Sequence, residues 1–443
     1  MLKCMKYLKK DKIFYWGKIL LLYAPFVILL IILKTKEGYS YDMWCWSEWA
    51  KIIFTDGLTH IYKSWTDYLP LYQYILFFFG KIQGSVETIV DNIHKLKTLT
   101  MFFELGSTLI LFKILENKFK DTYKAVLFSL FYFLNLAVLY NSMIWGQVDG
   151  IMTFFVFGSV IFGYHKKPFF SLLFIVLAIN MKLQAIIFLP VIAALLLPLA
   201  FDKSQTKRLI YTIVGVGIIQ FLIFFPFIYS GDFSKLWNVI TSSAGRYPIV
   251  SMNAYNVWYF LVESPINTYD SIVFLGITYH AWGLILFFVT SFFALLHFLK
   301  PLILNIFKKI KVEYSHKKLL ISCALIPLLF FFFNTQMHER YVHPALIFLA
   351  VYAMLYNRPL VFILGSIACF LNMERVLRFF QTNNRQRIFG SDINNTLVCA
   401  DRVSGDYHAF DNGVGVALDN GPVHERARVA LVRVAYNVFF AAL

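Results

Sequence analysis

Apolar stretches long enough to cross a bilayer recur along this chain from Ile13 onward, and no other feature limits its fold so strongly. A membrane-spanning helix needs ~20 predominantly apolar residues, with some allowance for shorter ones. Within lipid the backbone must satisfy its own hydrogen bonds, which leaves only helices and closed barrels. These runs lack the apolar and polar alternation of barrel strands, so they are expected to be helices. About eleven segments qualify: 13–33, 96–114, 124–141, 147–164, 168–181, 184–201, 209–230, 278–299, 319–335, 343–356 and 359–374. The expected class is an all-α, polytopic transmembrane helical bundle in a cell membrane. Composition agrees, since 59% hydrophobic and 15% charged residues lie far from the mix of a soluble domain. The first run meets Lys34 and Lys36 rather than a small-residue cleavage site, so it reads as a spanning helix and not as a cleaved signal.

A net charge of +16 would suggest nucleic acid in a soluble protein, but here the basic residues sit in short connections between apolar runs. They read as topology signals, and no nucleic-acid partner is expected. Placing Lys3–Lys18, Lys113–Lys124, His165–Lys167, Lys203–Arg208 and Lys300–Lys318 in the cytoplasm gives a consistent alternation. Two long loops, about 34–95 and 230–277, then face outward. Five cysteines without metal-ligand spacing argue against a disulfide framework or a zinc site, and Cys323 and Cys369 read as helix packing.

Five polar clusters interrupt the apolar sequence on that outward side. Asp42 follows the first helix by a short step, within the aromatic run Tyr41 to Trp49, a setting that would partly desolvate a carboxylate and make it a useful base. The tryptophans around it read mainly as interfacial anchors on amphipathic helices. Trp145, Gln147 and Asp149 lie in a Gly-containing turn, for which a polar cap is the plain alternative. Lys182, with Gln184 beside it, stands where the charge rule disfavours a lysine; it either snorkels to the interface or offers a cation to an anion. Arg246, Asn253, Tyr255 and Asn256 bring amides, aromatics and one cation to the second loop, which is equally readable as a solvated turn region. The fifth cluster, Met337 to Tyr341, sets His338, Glu339, Arg340 and Tyr341 between two apolar runs, where ionisable residues mark function by default. An interhelical salt bridge is its rival reading.

One carboxylate near an apolar wall, with a lysine, a histidine and an arginine, describes a site that activates a nucleophile and stabilises an anionic leaving group. A phosphate on a lipid carrier explains why such an enzyme would be mostly membrane. His338 and Arg340 are expected to grip that phosphate while Glu339 orients one of them.

These residues resemble the GT-C superfamily of integral-membrane glycosyltransferases, over roughly residues 13–375. The closest likeness is to the bacterial branch related to the second mannosyltransferase of GPI-anchor assembly. Tyr41-Asp42-Met43 resembles the acidic residue that opens the family's first outward loop, and Asp67-Tyr68-Leu69-Pro70 a motif that follows it. Trp145 to Gly150 is similar to the family's polar turn after the third helix. Met337 to Tyr341 and Asn253 to Trp258 look like signature blocks of the bacterial branch. In the endoplasmic-reticulum glucosyltransferases, a Phe-Lys-Gln-Met block resembles Met181 to Gln184 and a His-Glu-Lys block resembles His338 to Arg340, with Arg340 in place of the lysine.

The resemblance implies Asp42 as catalytic base and His338 as a ligand of the donor phosphate, with Lys182 and Arg340 beside it. It further implies a polyprenyl-phosphate-linked hexose, mannose-like or glucose-like, as donor. The acceptor would be a glycan, lipid-linked or protein hydroxyl on the extracytoplasmic face, and transfer would invert the anomeric carbon. This scheme calls for no metal or other cofactor, and Asp149 would bind acceptor or order the site rather than move a proton. The sites all fall in a domain at 1–381. Beyond it, 382–443 lacks lysine and is rich in Arg, Val, Ala and Gly, as expected of a frameshifted, fused or poorly ordered tail. The main alternative is a lipid-linked-sugar flippase or transporter, for which the sequence shows neither internal repeats nor midplane charges. A polymerase or ligase that joins lipid-linked glycans is also compatible, and a non-catalytic scaffold fits least.

Overall fold

A computed structural model of the chain describes residues 2–243, 245–308 and 313–380; the tail expected to be atypical lies outside the described residues. Seventeen α-helices run through them: α1 Leu2–Leu33, α2 Ser40–Asp56, α3 Pro70–Gln83, α4 Val86–Asn92, α5 Leu96–Phe119, α6 Thr122–Phe133, α7 Leu136–Leu139, α8 Asp149–Tyr164, α9 Pro168–Met181, α10 Leu189–Phe201, α11 Lys203–Tyr229, α12 Phe233–Ser242, α13 Trp258–Leu261, α14 Tyr279–Lys308, α15 His316–Phe333, α16 His343–Tyr356 and α17 Pro359–Leu377. Each of the eleven expected segments falls on helix. Among the described residues, seven helices are long and apolar enough to cross a membrane. They become eight if Thr122–Phe133 and Leu136–Trp145, bent by 50°, count as one span, while α8, α9 and α16 are shorter apolar helices.

Local chemistry starts and stops these helices. Asp121, Asn135, Asp202 and Ser315 accept hydrogen bonds from backbone N–H groups in the first turns of α6, α7, α11 and α15. Proline sits at the start of α3, α9, α16 and α17, where a missing N–H costs nothing. The outward faces of α1 and α11 expose Leu21, Ile32, Ile213, Ile218, Phe221 and Leu222, a surface that water would not tolerate and a bilayer would.

Short connections make neighbouring helices antiparallel, so the polar segments sort to two ends of the bundle. At one end lie the turns 120–121, 165–167 and 202, with the starts of α15 and α17. Tyr164 and His316 pack there at 5.2 Å, and Tyr356 and His316 share a 3.4 Å hydrogen bond. The other end carries α2 to α4, the break between α7 and α8, Lys182, the segment 230–278 and the α15–α16 connection.

The first long loop is largely helical, and two of the tryptophans of α2 face inward. Trp46 and Trp49 are buried against Tyr68 and Tyr72, whereas Trp44 is 49% exposed. An anchoring role therefore suits Trp44 and not the other two, because inward indoles bury more area in an aromatic core than at an interface. In the second loop a two-residue turn at Leu275 and Gly276, both with positive φ, closes the hairpin of β1 Val273–Phe274 and β2 Ile277–Thr278.

Candidate active site

The site is built where α2 meets the break between α7 and α8. After α7 the chain widens into a single π-helical stretch, Tyr140–Trp145, and Gly146 ends it in a left-handed conformation at φ 95°. Such bulges recur at functional sites because they re-aim side chains that a regular helix would point elsewhere. Here the bulge turns Trp145 and Gln147 toward Asp42. The Trp145 indole Nε1 donates to Asp42 Oδ2 at 2.7 Å, and the Gln147 amide donates to the same oxygen. Asp42 Oδ1 receives no hydrogen bond among the described residues.

Asp149 begins α8 immediately beyond this turn. Its carboxylate pairs with Lys182 at 2.5 Å and accepts from the Asn141 amide at 3.2 Å. Lys182 occupies an extended residue between α9 and a 3-10 turn at Leu183–Phe188, so the lysine sits at a break in the helical path and reaches inward. Its ammonium also lies 4.8 Å from the centroid of the Tyr341 ring. Gln184 donates to the Tyr341 carbonyl at 2.8 Å, which ties this break to the α15–α16 connection.

That connection supplies the remaining charge. Arg340 pairs with Glu339 at 2.5 Å and approaches Asp42 Oδ2 and Asp149 Oδ2, each at 4.0 Å. The guanidinium also stands 5.5 Å from the Trp145 ring and 6.0 Å from that of Tyr341. One arginine thus faces three carboxylates. Burial opposes its charge, but Asp42, Glu339 and Asp149 together outweigh burial and hold the group protonated. Glu339 is pushed above the usual carboxylate range by burial, with Arg340 opposing. His338 is driven well below its ordinary value by burial first, then by Arg340 and Lys182, so its imidazole is neutral at neutral pH. A neutral ring has one N–H to donate and one lone pair to offer.

The inner cluster therefore unites Asp42, Trp145, Gln147, Asp149, Lys182, Gln184, His338, Glu339, Arg340 and Tyr341 from four of the five sequence clusters. The remaining cluster, Arg246 to Asn256, is only partly drawn in. Asn253, at φ 65°, bridges to His338 through its backbone, and the Met252 N–H donates to the Met337 carbonyl at 3.0 Å. The Tyr255 N–H donates to Asn372, whose amide donates to the Glu339 carbonyl at 2.6 Å. Asn256 instead donates to the Phe331 and Asn334 carbonyls, a structural tie behind the site. No hydrogen bond or ion pair joins Arg246 to the cluster among the described residues. Its neighbour Tyr247 does reach it, with its ring 5.4 Å from that of His338 and its hydroxyl donating to Asp67 at 3.1 Å.

Sequence reasoning assigned no role to several participants. Tyr68 donates to Gln147 Oε1 at 3.4 Å, and Asn372 holds the Glu339 backbone. Deeper in the bundle, Glu104 accepts from Tyr132 at 2.8 Å and Ser142 at 2.9 Å and contacts His343 Nε2 at 3.0 Å. Lys97 and Glu104, seven residues apart in the first half of α5, carried the signal that intramembrane ionisable residues always carry. Among the described residues, no three His, Cys, Asp or Glu side chains gather as a metal's ligand set. No family model matches this chain, and no curated protein matches it.

Proposed function

We propose that this chain is an integral-membrane glycosyltransferase of the GT-C kind. It would transfer a hexose, mannose-like or glucose-like, from a polyprenyl-phosphate donor to an acceptor hydroxyl on the extracytoplasmic face, with inversion. The eleven helical segments would then form the bundle, with the short helices α8, α9 and α16 completing spans. The observation that carries this reading is the Asp42 carboxylate. One of its oxygens is held by Trp145 and Gln147, and the other accepts no hydrogen bond among the described residues. A carboxylate fixed through one oxygen and open at the other is placed to take a proton from an attacking hydroxyl.

The leaving group in this reading is a lipid phosphate, which departs without protonation and needs only charge stabilisation. Arg340 and Lys182 supply positive charge within the cluster, and neutral His338 supplies a donor. Asp149 holds Lys182 in place. A flippase or transporter of lipid-linked sugars is the second reading, favoured by the Glu104 and His343 pair buried within the bundle.

Purified protein in lipid nanodiscs, given a panel of polyprenyl-phosphate sugars and candidate acceptors, decides between them. Transfer with anomeric inversion is expected from one donor. Movement of a fluorescent lipid-linked sugar across a vesicle membrane without transfer would favour the second reading and sink the first. For the membrane side, Ser64→Cys, at an exposed position, is expected to react with an impermeant thiol reagent in intact cells; labelling only after lysis would place the site inside.

A further inference from the structure

Lys97 is the buried cation that the proposed chemistry does not use. It is the second residue of α5 and is 1% exposed, yet no carboxylate forms an ion pair with it among the described residues. Its ammonium donates to Thr35 Oγ1 at 3.0 Å, to the Ile144 carbonyl at 3.0 Å and to the Thr35 carbonyl at 3.4 Å, and also to the Glu37 carbonyl. These oxygens come from two separate chain segments. Thr35 and Glu37 belong to the connection that leads into α2, and Ile144 belongs to the π-helical stretch.

The two segments touch more closely here than side chains allow. A Cβ on Gly38 would lie 2.7 Å from the Trp145 carbonyl, and one on Gly146 would lie 3.0 Å from Met43 Sδ and 3.1 Å from Lys97 Cε. The Tyr39 N–H completes the junction by donating to the Trp145 carbonyl at 3.0 Å. Asp42 lies one turn beyond Tyr39, and its two hydrogen-bond donors lie at Trp145 and Gln147. Carbonyl dipoles aimed at one point repel one another unless a cation sits among them. We infer that Lys97 is a positioning residue, an internal cation that clamps the 35–38 connection to the π-helical stretch and so fixes Asp42 against Trp145 and Gln147. Lysine suits this task because its compact ammonium donates in three directions, whereas a planar guanidinium donates only within its own plane. The inference rests on the Asp42 reading only for its effect on transfer; the geometry stands apart from it.

The test compares wild type, Lys97→Met, Lys97→Arg and Thr35→Val, each carrying 5-fluorotryptophan in nanodiscs, by 19F NMR. Nine tryptophans give nine resonances, and Trp145→Phe assigns the one that matters. Lys97→Met is expected to move the Trp145 resonance while most others stay. Lys97→Arg should move it less, and Thr35→Val, which removes one of the oxygens and keeps the cation, should move it least. Where transfer is measurable, kcat is expected to fall about tenfold or more with KM within about twofold, as for a misplaced reacting group. An unmoved Trp145 resonance in both Lys97→Met and Thr35→Val would overturn the inference. So would a shift of all nine resonances together, which would make Lys97 a general determinant of folding. Absence of transfer by the wild-type protein would count against the glycosyltransferase reading alone, since the 19F comparison is independent of activity.

Discussion

The two ends of the bundle use the same residue types in opposite ways. At the end of the basic turns, Lys113 pairs with Glu116 three residues away on one helix, and its side chain is 47% exposed. At the other end, Lys182 pairs with Asp149 across 33 residues, with side chains 11% and 1% exposed. The first arrangement is one turn of helix at the surface, joined at its rim by Tyr15 of α1, whose hydroxyl donates to Glu116 at 2.6 Å. The second needs several chain segments to arrive together, and each buried charge must find its partner there or be costly. Charge count alone would rank the basic end as the more important. Burial and sequence separation reverse that ranking, and they identify the polar end as the one worth preserving under mutation.

The contrast is sharpest at Arg340. Replacing it with methionine leaves Asp42, Asp149 and Glu339 without their shared cation, so this change is expected to destabilise most, by about 3–5 kcal/mol or more. A large fall in the detergent melting temperature would register it. Lys182→Met should cost somewhat less, about 3 kcal/mol, by removing the nearest cation of Asp149 and leaving it Arg340 at 4.0 Å. Adding Asp149→Asn to the same chain should recover much of that loss, and a double-mutant cycle measures the coupling. If Lys182→Met proved neutral, the pair would be no more than a surface interaction.

The pH response follows from His338. Its folded value lies well below 6.5, so the folded site stays neutral where the unfolded chain begins to bind a proton. Stability is therefore full above pH 6.5 and falls as pH drops below it, by up to about 1.4 kcal/mol per pH unit. Melting curves between pH 7.5 and 5 should show this decline, and His338→Gln should lessen it. The smallest effect belongs to the basic end, where Lys113→Ala is expected to change stability by about 1 kcal/mol or less. A loss there equal to that at Lys182 would erase the contrast between the two ends.

Much of the fold was legible because lipid leaves the backbone so few choices. Each apolar run from 13–33 to 359–374 became helix. Even the short segments 168–181 and 343–356 coincide with α9 and α16, whereas the bend within 124–141 was not legible. Asp42, Lys182 and the 338–341 cluster stood out because charge interrupts apolar sequence there. Their partnerships did not stand out. Trp145 reaches Asp42 across 103 residues through a π-helical bulge that no local preference announces. Trp46 and Trp49 read as interfacial until the structure turned them inward. Arg246 drew attention as a cation, but its neighbour Tyr247 makes the contact. Lys97 stood visibly at the edge of an apolar run, but its neutral oxygen partners leave no pattern in a sequence.

Asp42→Asn tests the central claim most directly. The amide keeps the shape of the carboxylate but cannot accept a proton from an attacking hydroxyl. Transfer from the polyprenyl-phosphate donor should fall by about 10²–10⁴-fold. Binding of the donor and the melting temperature should change far less. Transfer at the wild-type rate by a folded Asp42→Asn protein would contradict the account.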